Sequence, residues 1–300
     1  MVYFMAMNRL SWDDARIVSA HGRDCNLIAL IRHNPKVFSI LGTEDGVARL
    51  ASRLVAYGMG DVTLYVGENL SYENEKIFHA SAAELTEYRG DALSVVTACN
   101  EKAVPLPAVH GICDEEFLRG KAPMTKEEVR TVSLSKLRLQ EDSVCYDVGA
   151  GTGSVSVEMA LRAWKGQVYA IEKKEDALAL LKENRRKFAT DNLEIVPGTA
   201  PEAMVELPVP THAFIGGSSG NMNEIIRLLL DKNPKVRIAI NCITLETVTE
   251  AMNAIRDFSL TDVDIVQLSA ARSKSIGRYH MMMGENPIYI ISCSGRGEEI

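Results

Sequence analysis

Three glycines in five positions, Gly149-x-Gly151-x-Gly153, lie inside the stretch "VCYDVGAGTGSVSVEM", residues 144–159, and an acid, Asp147, stands two places before the first of them. Glycine permits backbone angles closed to other residues and lets a ligand come against the main chain without meeting a Cβ. A second acid, Glu172, ends the apolar run "QVYAIE". A carboxylate at such a strand end can accept hydrogen bonds from the two hydroxyls of a ribose. A strand, a glycine turn and a helix in this order usually hold a nucleotide-like ligand.

Three readings meet these residues. A turn of this kind can be purely structural, with two ordinary surface acids. It can be a dinucleotide turn, whose pattern is GxGxxG with the pyrophosphate at the helix amino terminus. Here the third glycine comes one residue early, and Asp147 would repel a pyrophosphate. An acid before the turn suits a cationic group, the sulfonium amino acid of S-adenosylmethionine, and that ligand is favoured over the other two.

The turn needs a strand before it and a helix after it. Strand-like runs occur at 144–148, 167–172, 193–197, 211–215 and 236–243, separated by helical patterns at 154–164, 175–189, 220–232 and 245–258. Strands alternating with helices predict a parallel, doubly wound sheet. "VDIVQLS" and "NPIYIISC" have no helix between them and predict a closing hairpin with at least one antiparallel strand. A seven-stranded, mostly parallel, Rossmann-like sheet ending this way is the usual shape of class I S-adenosylmethionine-dependent methyltransferases. Upstream, "PMTKEEVRTVSLSKLRL" predicts a helix capped by Thr125, with Glu128 completing a capping box.

Two prolines, a glycine and an acidic run interrupt the periodicity in "EKAVPLPAVHGICDEEF", residues 101–117. This predicts two domains, 1–104 and 105–300. The first reads as a small α/β unit. "SWDDARIVSA", "EDGVARLASRLVAYG" and "SAAELTEY" look helical, and "KVFSIL", "DVTLYVGENL" and "ALSVVTAC" look like strands. It has no glycine-rich turn of its own.

Composition narrows the function classes. The net charge of −7 over 300 residues is spread evenly, so neither part is a basic surface for nucleic acid. Six scattered cysteines without a CxxC pair favour a reducing cytoplasm over disulfides or zinc. His21 and His110 have no further ligands at useful spacing, so no metal is expected. No apolar run reaches the roughly 20 residues of a membrane span, and the apolar start "MVYFMAM" is short for a secretory signal.

Beyond the glycine turn, "GKAPMTKEEVRTVSLSKLRL", "GTAPEAM", "AFIGGSSGNMNEII" and "INCITLET" complete a series of motifs that resembles the decarboxylating precorrin-6B methylases of cobalamin (vitamin B12) synthesis, the CbiT family, over about residues 110–293. Residues 9–100, through "LSWDDARIVSAHGRD" and "GDVTLYVGENLSYENEKI", are similar to the second half of the partner tetrapyrrole methylase, CbiE, whose first, glycine-looped subdomain has no counterpart here. The resemblance implies methylation of carbon 15 of a precorrin or cobalt-precorrin and loss of carbon dioxide from the acetate on carbon 12. It also implies a homo-oligomer, with a tetramer as the family's form. Carried over by position, Thr125 would contact the cofactor, Gly149, Ala150, Gly151, Thr152 and Gly153 would wrap its methionine part, Glu172 would hold the ribose, and Ala200 would touch the adenine through its backbone.

Methyl transfer asks an enzyme chiefly to hold the nucleophilic carbon about 3 Å from the methyl group and in line with the sulfur. The carboxylate-rich substrate calls for cations, and "ARSKSIGRYH" supplies Arg272, Lys274 and Arg278, with Arg119 and Lys121 in "FLRGK". Gly216 and Gly217 offer bare backbone to a flat macrocycle. Asn241 and His280 are the candidates for a polar or proton-donating role, His280 because its ordinary pKa lies near neutrality.

Overall fold

The computed structural model of the chain describes residues 1–21, 25–105 and 109–296. The centre of the interrupted segment, residues 106–108, lies outside that set. The chain divides into two compact units, Met1–Pro107 with Phe188–Asp191, and Ala108–Lys187 with Asn192–Ile300.

The first unit contains α1 (Val2–Met7), β1 (Arg16–Ser19), α2 (Leu27–His33), β2 (Lys36–Leu41), α3 (Gly46–Ala56), β3 (Thr63–Glu68), β4 (Lys76–Ser81) and β5 (Ser94–Cys99). Its five strands run in the order β1-β2-β5-β3-β4, and β1 with β2 is the parallel pair. Helix α3 buries Val47, Leu50, Ala51 and Leu54, one face at helical spacing. Two expectations are corrected here. "SWDDARIVSA" is not a helix: Arg16–Ser19 is a strand, because Ile17 and Val18 favour extended backbone and β2 offers a partner. "SAAELTEY" shrinks to one 3-10 turn, Ala82–Leu85, closed by Ser81 and Glu84. The apolar start of the chain folds as α1, with Phe4 and Met5 fully buried.

The second unit contains α4 (Glu127–Leu137), β6 (Val144–Val148), α5 (Ser154–Arg162), β7 (Gln167–Glu172), α6 (Glu175–Lys187), β8 (Leu193–Pro197), β9 (His212–Ile215), α7 (Met222–Lys232), β10 (Arg237–Cys242), α8 (Leu245–Asp257), β11 (Thr261–Leu268), β12 (Ala271–Ile276), β13 (Tyr279–Gly284) and β14 (Ile288–Ser294). A seven-stranded sheet runs β11-β14-β10-β9-β6-β7-β8. Pairs from β10 through β8 are parallel, and β14 is antiparallel to both its neighbours. Ile238, Ile240 and Ile291 of the sheet pack with Ile225 and Leu229 of α7 and Ala251 and Ala254 of α8. The alanines let α8 lie close to the strands.

Two details differ from the sequence reading. The segment between the last two sheet strands is a two-stranded antiparallel ribbon, β12–β13, and not a loop. Thr125 does not cap α4. The helix starts at Glu127 with Lys126 at its N-cap and no side-chain cap bond. The Glu128 carboxylate that would have closed the capping box accepts instead from Arg272 Nε and Nη2, at 3.1 and 2.7 Å.

Candidate functional site

The order of the sheet reverses at β6: the chain moves outward through β7 and β8, then crosses to β9 on the other side. In open α/β sheets a crevice opens at the carboxyl ends of the strands at such a point, and ligands bind there. A cleft of about 210 Å³ occupies this place. Its walls come from Ala122–Pro123, the glycine turn, the end of β7, Gly198–Ala200 and Gly216–Ser219.

The glycines are there because backbone crowds them. Gly149 has φ 76°, and a Cβ on it would lie 2.9 Å from the Gly217 carbonyl oxygen. Gly151 has φ 57°, and its Cβ would lie 2.8 Å from the Pro123 carbonyl oxygen. Both positions keep the turn open to a ligand while three chain segments converge on it.

Glu172 is only 8% exposed, yet lines the cleft. Its Oε2 accepts from the Gly151 N–H at 2.8 Å, and its Oε1 from the N–H groups of Lys173 and Lys174 at 2.8 and 2.9 Å. Three backbone donors hold the carboxylate rigid at the strand end. Oε1 accepts two of these bonds and Oε2 one, so Oε2 keeps a lone pair to offer a hydroxyl.

Asp147 behaves differently. The acid is fully buried on the side of β6 away from the cleft, where Oδ2 accepts from the Ser156 hydroxyl and Oδ1 has no hydrogen-bond partner. Burial pushes its carboxyl up to about 7, against the opposing pull of Ser156. Side chains alternate along a strand, and Val148 reaches the cleft where Asp147 cannot.

Thr125, Ala150, Thr152 and Gly153 also do not line the cleft. Thr152 is fully buried, and its carbonyl accepts from Asn184 Nδ2 at 2.9 Å. A Cβ on Gly153 would meet Leu181 of α6, so this glycine serves helix packing. Gly149, Gly151, Glu172, Ala200, Gly216 and Gly217 do line it. Sequence reasoning missed Pro123, Lys173, Thr199, Ser218 and Ser219 as wall residues, although all but Lys173 fall within motifs already singled out.

The ribbon leaves the sheet at the edge where the cleft lies, since Leu268 pairs with Ile288 and Tyr289 with Cys242 at the carboxyl end of β10. Its cations have separate fates. Arg272 forms ion pairs with Glu128 at 2.7 Å, Asp114 at 3.5 Å and Glu285 at 3.8 Å. These acids hold its guanidinium protonated above the usual arginine range, and Arg272 in turn holds the Glu128 carboxyl below the usual one. Lys274 is exposed on β12, and Arg278 lies 5.2 Å from the Tyr279 ring at the ribbon's tip. His280 is exposed on β13. Asn241 is 7% exposed beneath α4; its Oδ1 accepts from Ser133 at 2.9 Å and its Nδ2 has no partner.

Among the described residues, no group of three or more His, Cys, Asp or Glu is placed to hold a metal, and no helix is long and apolar enough to cross a membrane. All six cysteines are free.

The sheet order, with β14 inserted antiparallel beside β10, and the cleft at its switch point define the second unit as a class I methyltransferase, the Rossmann-like fold of S-adenosylmethionine-dependent enzymes. Residues 116–294 match the precorrin methyltransferase domain, and the chain belongs to that family. A probable cobalt-precorrin-6B C(15)-methyltransferase (decarboxylating) of Pyrobaculum calidifontis is 44% identical over 188 residues, which cover 62% of this chain and 96% of the relative. The cobalt-precorrin-6B C(15)-methyltransferase (decarboxylating) of Salmonella typhimurium is 41% identical, covering 60% and 94%. A solved structure, a precorrin-6y C5,15-methyltransferase of Geobacter metallireducens, superposes with a TM-score of 0.59 at 39% identity, covering 62% of this chain and 96% of that one.

Proposed function

We propose that the chain transfers a methyl group from S-adenosylmethionine to carbon 15 of a precorrin or cobalt-precorrin, and removes carbon dioxide from the acetate on carbon 12. The observation that carries this reading is the cleft at the sheet's switch point, where Glu172 is held by three backbone N–H groups beside a turn that admits no Cβ at Gly149 or Gly151.

The cleft suits the cofactor's chemistry. Glu172 would accept from a ribose hydroxyl at Oε2. The backbone of Gly149 and Gly151 would lie along the methionine part, and Gly198 to Ala200 along the base. The bound cofactor supplies the electrophilic methyl group. Gly216, Gly217 and Ser218, at the end of β9, form the wall from which a macrocycle would present its nucleophilic carbon. Lys274 and Arg278 on the ribbon would meet the substrate's carboxylates; Arg272, paired with Asp114, Glu127, Glu128 and Glu285, would hold the ribbon's base. Electrons left by decarboxylation enter the conjugated ring, so the protein need supply only a proton. His280 is the candidate for that step, and Asn241 is a candidate polar contact.

We read the first unit as the second half of a tetrapyrrole methylase. We further read the protein as a cytoplasmic homo-oligomer, a tetramer by its resemblance, which light scattering would measure.

Mass spectrometry after incubation with precursor and methyl-labelled cofactor tests the reading. One labelled methyl and one lost carbon dioxide are expected. An unchanged precursor overturns it.

A further inference from the structure

We infer that Asn184 and Arg130, neither of which lines the cleft, are positioning residues for the methyl donor: they pin the two ends of residues 118–125 so that the Pro123 carbonyl closes the cleft opposite the Gly151 turn. The inference rests on the cofactor reading above.

Residues 119–124 cross from the turn at Asp114–Glu116 to α4 without helix or strand. Among the described residues, none of these six makes a hydrogen bond. Ala122 and Pro123 nevertheless form a wall of the cleft, with the Pro123 oxygen 2.8 Å from where a Cβ on Gly151 would be. Something outside the strap must set its course.

Both ends have an anchor. Asn184 of α6 is fully buried and spends its amide on three backbone groups. Its Oδ1 accepts from Leu118 N–H at 2.8 Å, and its Nδ2 donates to the carbonyls of Leu118 at 3.1 Å and Thr152 at 2.9 Å. One side chain therefore ties the start of the strap to the glycine turn itself. At the other end Arg130 of α4, also fully buried, donates from Nη1 to the Thr125 carbonyl at 2.7 Å and from Nη2 to that of Ile112. Its charge is met by Glu158 and Asp114, and Phe117 lies under its guanidinium at 4.7 Å.

A segment without internal hydrogen bonds has many conformations of similar energy, and fixing its residues costs conformational entropy. Pins at both ends remove most of those conformations before a ligand arrives. When only a fraction of molecules holds the closed wall, apparent affinity falls by that fraction. Loss of a pin is therefore read in cofactor affinity more than in turnover at saturating cofactor.

The test is Asn184→Leu, which keeps side-chain size and removes the amide. By calorimetry at a temperature well below its melting point, its Kd for S-adenosylhomocysteine should rise about tenfold or more, as expected for losing one to two net hydrogen bonds. The KM for S-adenosylmethionine should rise by more than kcat falls. A lower melting point with an unchanged Kd overturns the inference, since a merely structural residue would behave so. A second measurement needs no variant. In the unaltered chain, saturating S-adenosylhomocysteine should slow amide hydrogen exchange at residues 119–125 along with the glycine turn. Slowing at the turn alone overturns the strap's role. No binding at all by the unaltered chain overturns the cofactor reading, and the inference with it.

Discussion

In the cleft, backbone does the recognising. Gly149, Gly151, Gly198, Gly216 and Gly217 present bare main chain, and one acid, Glu172, is held in place by three N–H groups. On the ribbon ten of the twelve paired residues of β12 and β13 present exposed side chains, among them Lys274, His280, Met281, Met282 and Met283. The two regions rise from the same edge of one sheet. The cleft is shaped by segments that converge on the glycine turn; the ribbon is tied through Arg272 to Glu128 of α4 and to Asp114 in the turn before it. The difference suits the two ligands of the proposed reaction: an invariant nucleoside is met by fixed backbone, and a large polycarboxylate by side chains on an exposed arm.

The sharpest way to break this contrast is Gly151→Val. Its Cβ would fall 2.8 Å from the Pro123 carbonyl at a φ of 57°, where branched residues are strained. Binding of S-adenosylmethionine should drop below detection by calorimetry; a folded variant with undiminished affinity would remove the site from this cleft.

Asp147 separates the covered side of the glycine turn from the open side. The folded carboxyl keeps its proton to about pH 7, while the unfolded one releases it near 3.8. Folding therefore takes up a proton between those values, and stability falls as pH rises through that window. Asp147→Asn should flatten the wild-type decline, on the order of a few kcal/mol, in denaturant titrations run from pH 4 to 8. Identical pH profiles for the two proteins would contradict the buried, protonated acid.

Glu172→Ala should weaken S-adenosylmethionine binding by roughly 1–3 kcal/mol, the worth of hydrogen bonds to a charged acceptor. Binding of NADH by both proteins, with S-adenosylmethionine bound by neither, would favour a dehydrogenase.

Within the ribbon, Arg272→Ala leaves the buried Asp114 short of a partner and should lower the melting point by about 2–4 °C, the equivalent of about 1 kcal/mol. The Lys274→Ala, Arg278→Ala double variant should keep the melting point and raise the KM for the tetrapyrrole a few-fold, about the worth of two exposed ion pairs. Equal weakening of cofactor and tetrapyrrole by that pair would blur the division between cleft and ribbon.

The alternation of strands and helices from 144 to 258 was legible because it is written locally. Apolar residues recur at the spacing of each element, and three glycines mark a turn where φ is positive at each of them. The cleft's glycines and Glu172 were legible for the same reason: each is a chemical type at an element's end. Where a segment's own preference is weak, its partners decided. Arg16–Ser19 became a strand because β2 lies beside it, and the ribbon formed because "ARSKSI" and "YHMMMG" can pair with each other.

The chain's sequence by itself determined the class of the second unit, its switch-point turn and the acid that ends β7. Tertiary structure decided which way each acid faces and which cation is already spent. Asp147 and Glu172 flank the same turn, but strand alternation sends the first under helices and the second into the cleft. Arg272 and Glu128 are 144 residues apart, and Asn184 reaches Leu118 across 66. Periodicity carries no signal over such separations: a hydrogen bond depends on two side chains meeting within about 3 Å, and only the packed sheet and helices bring these together.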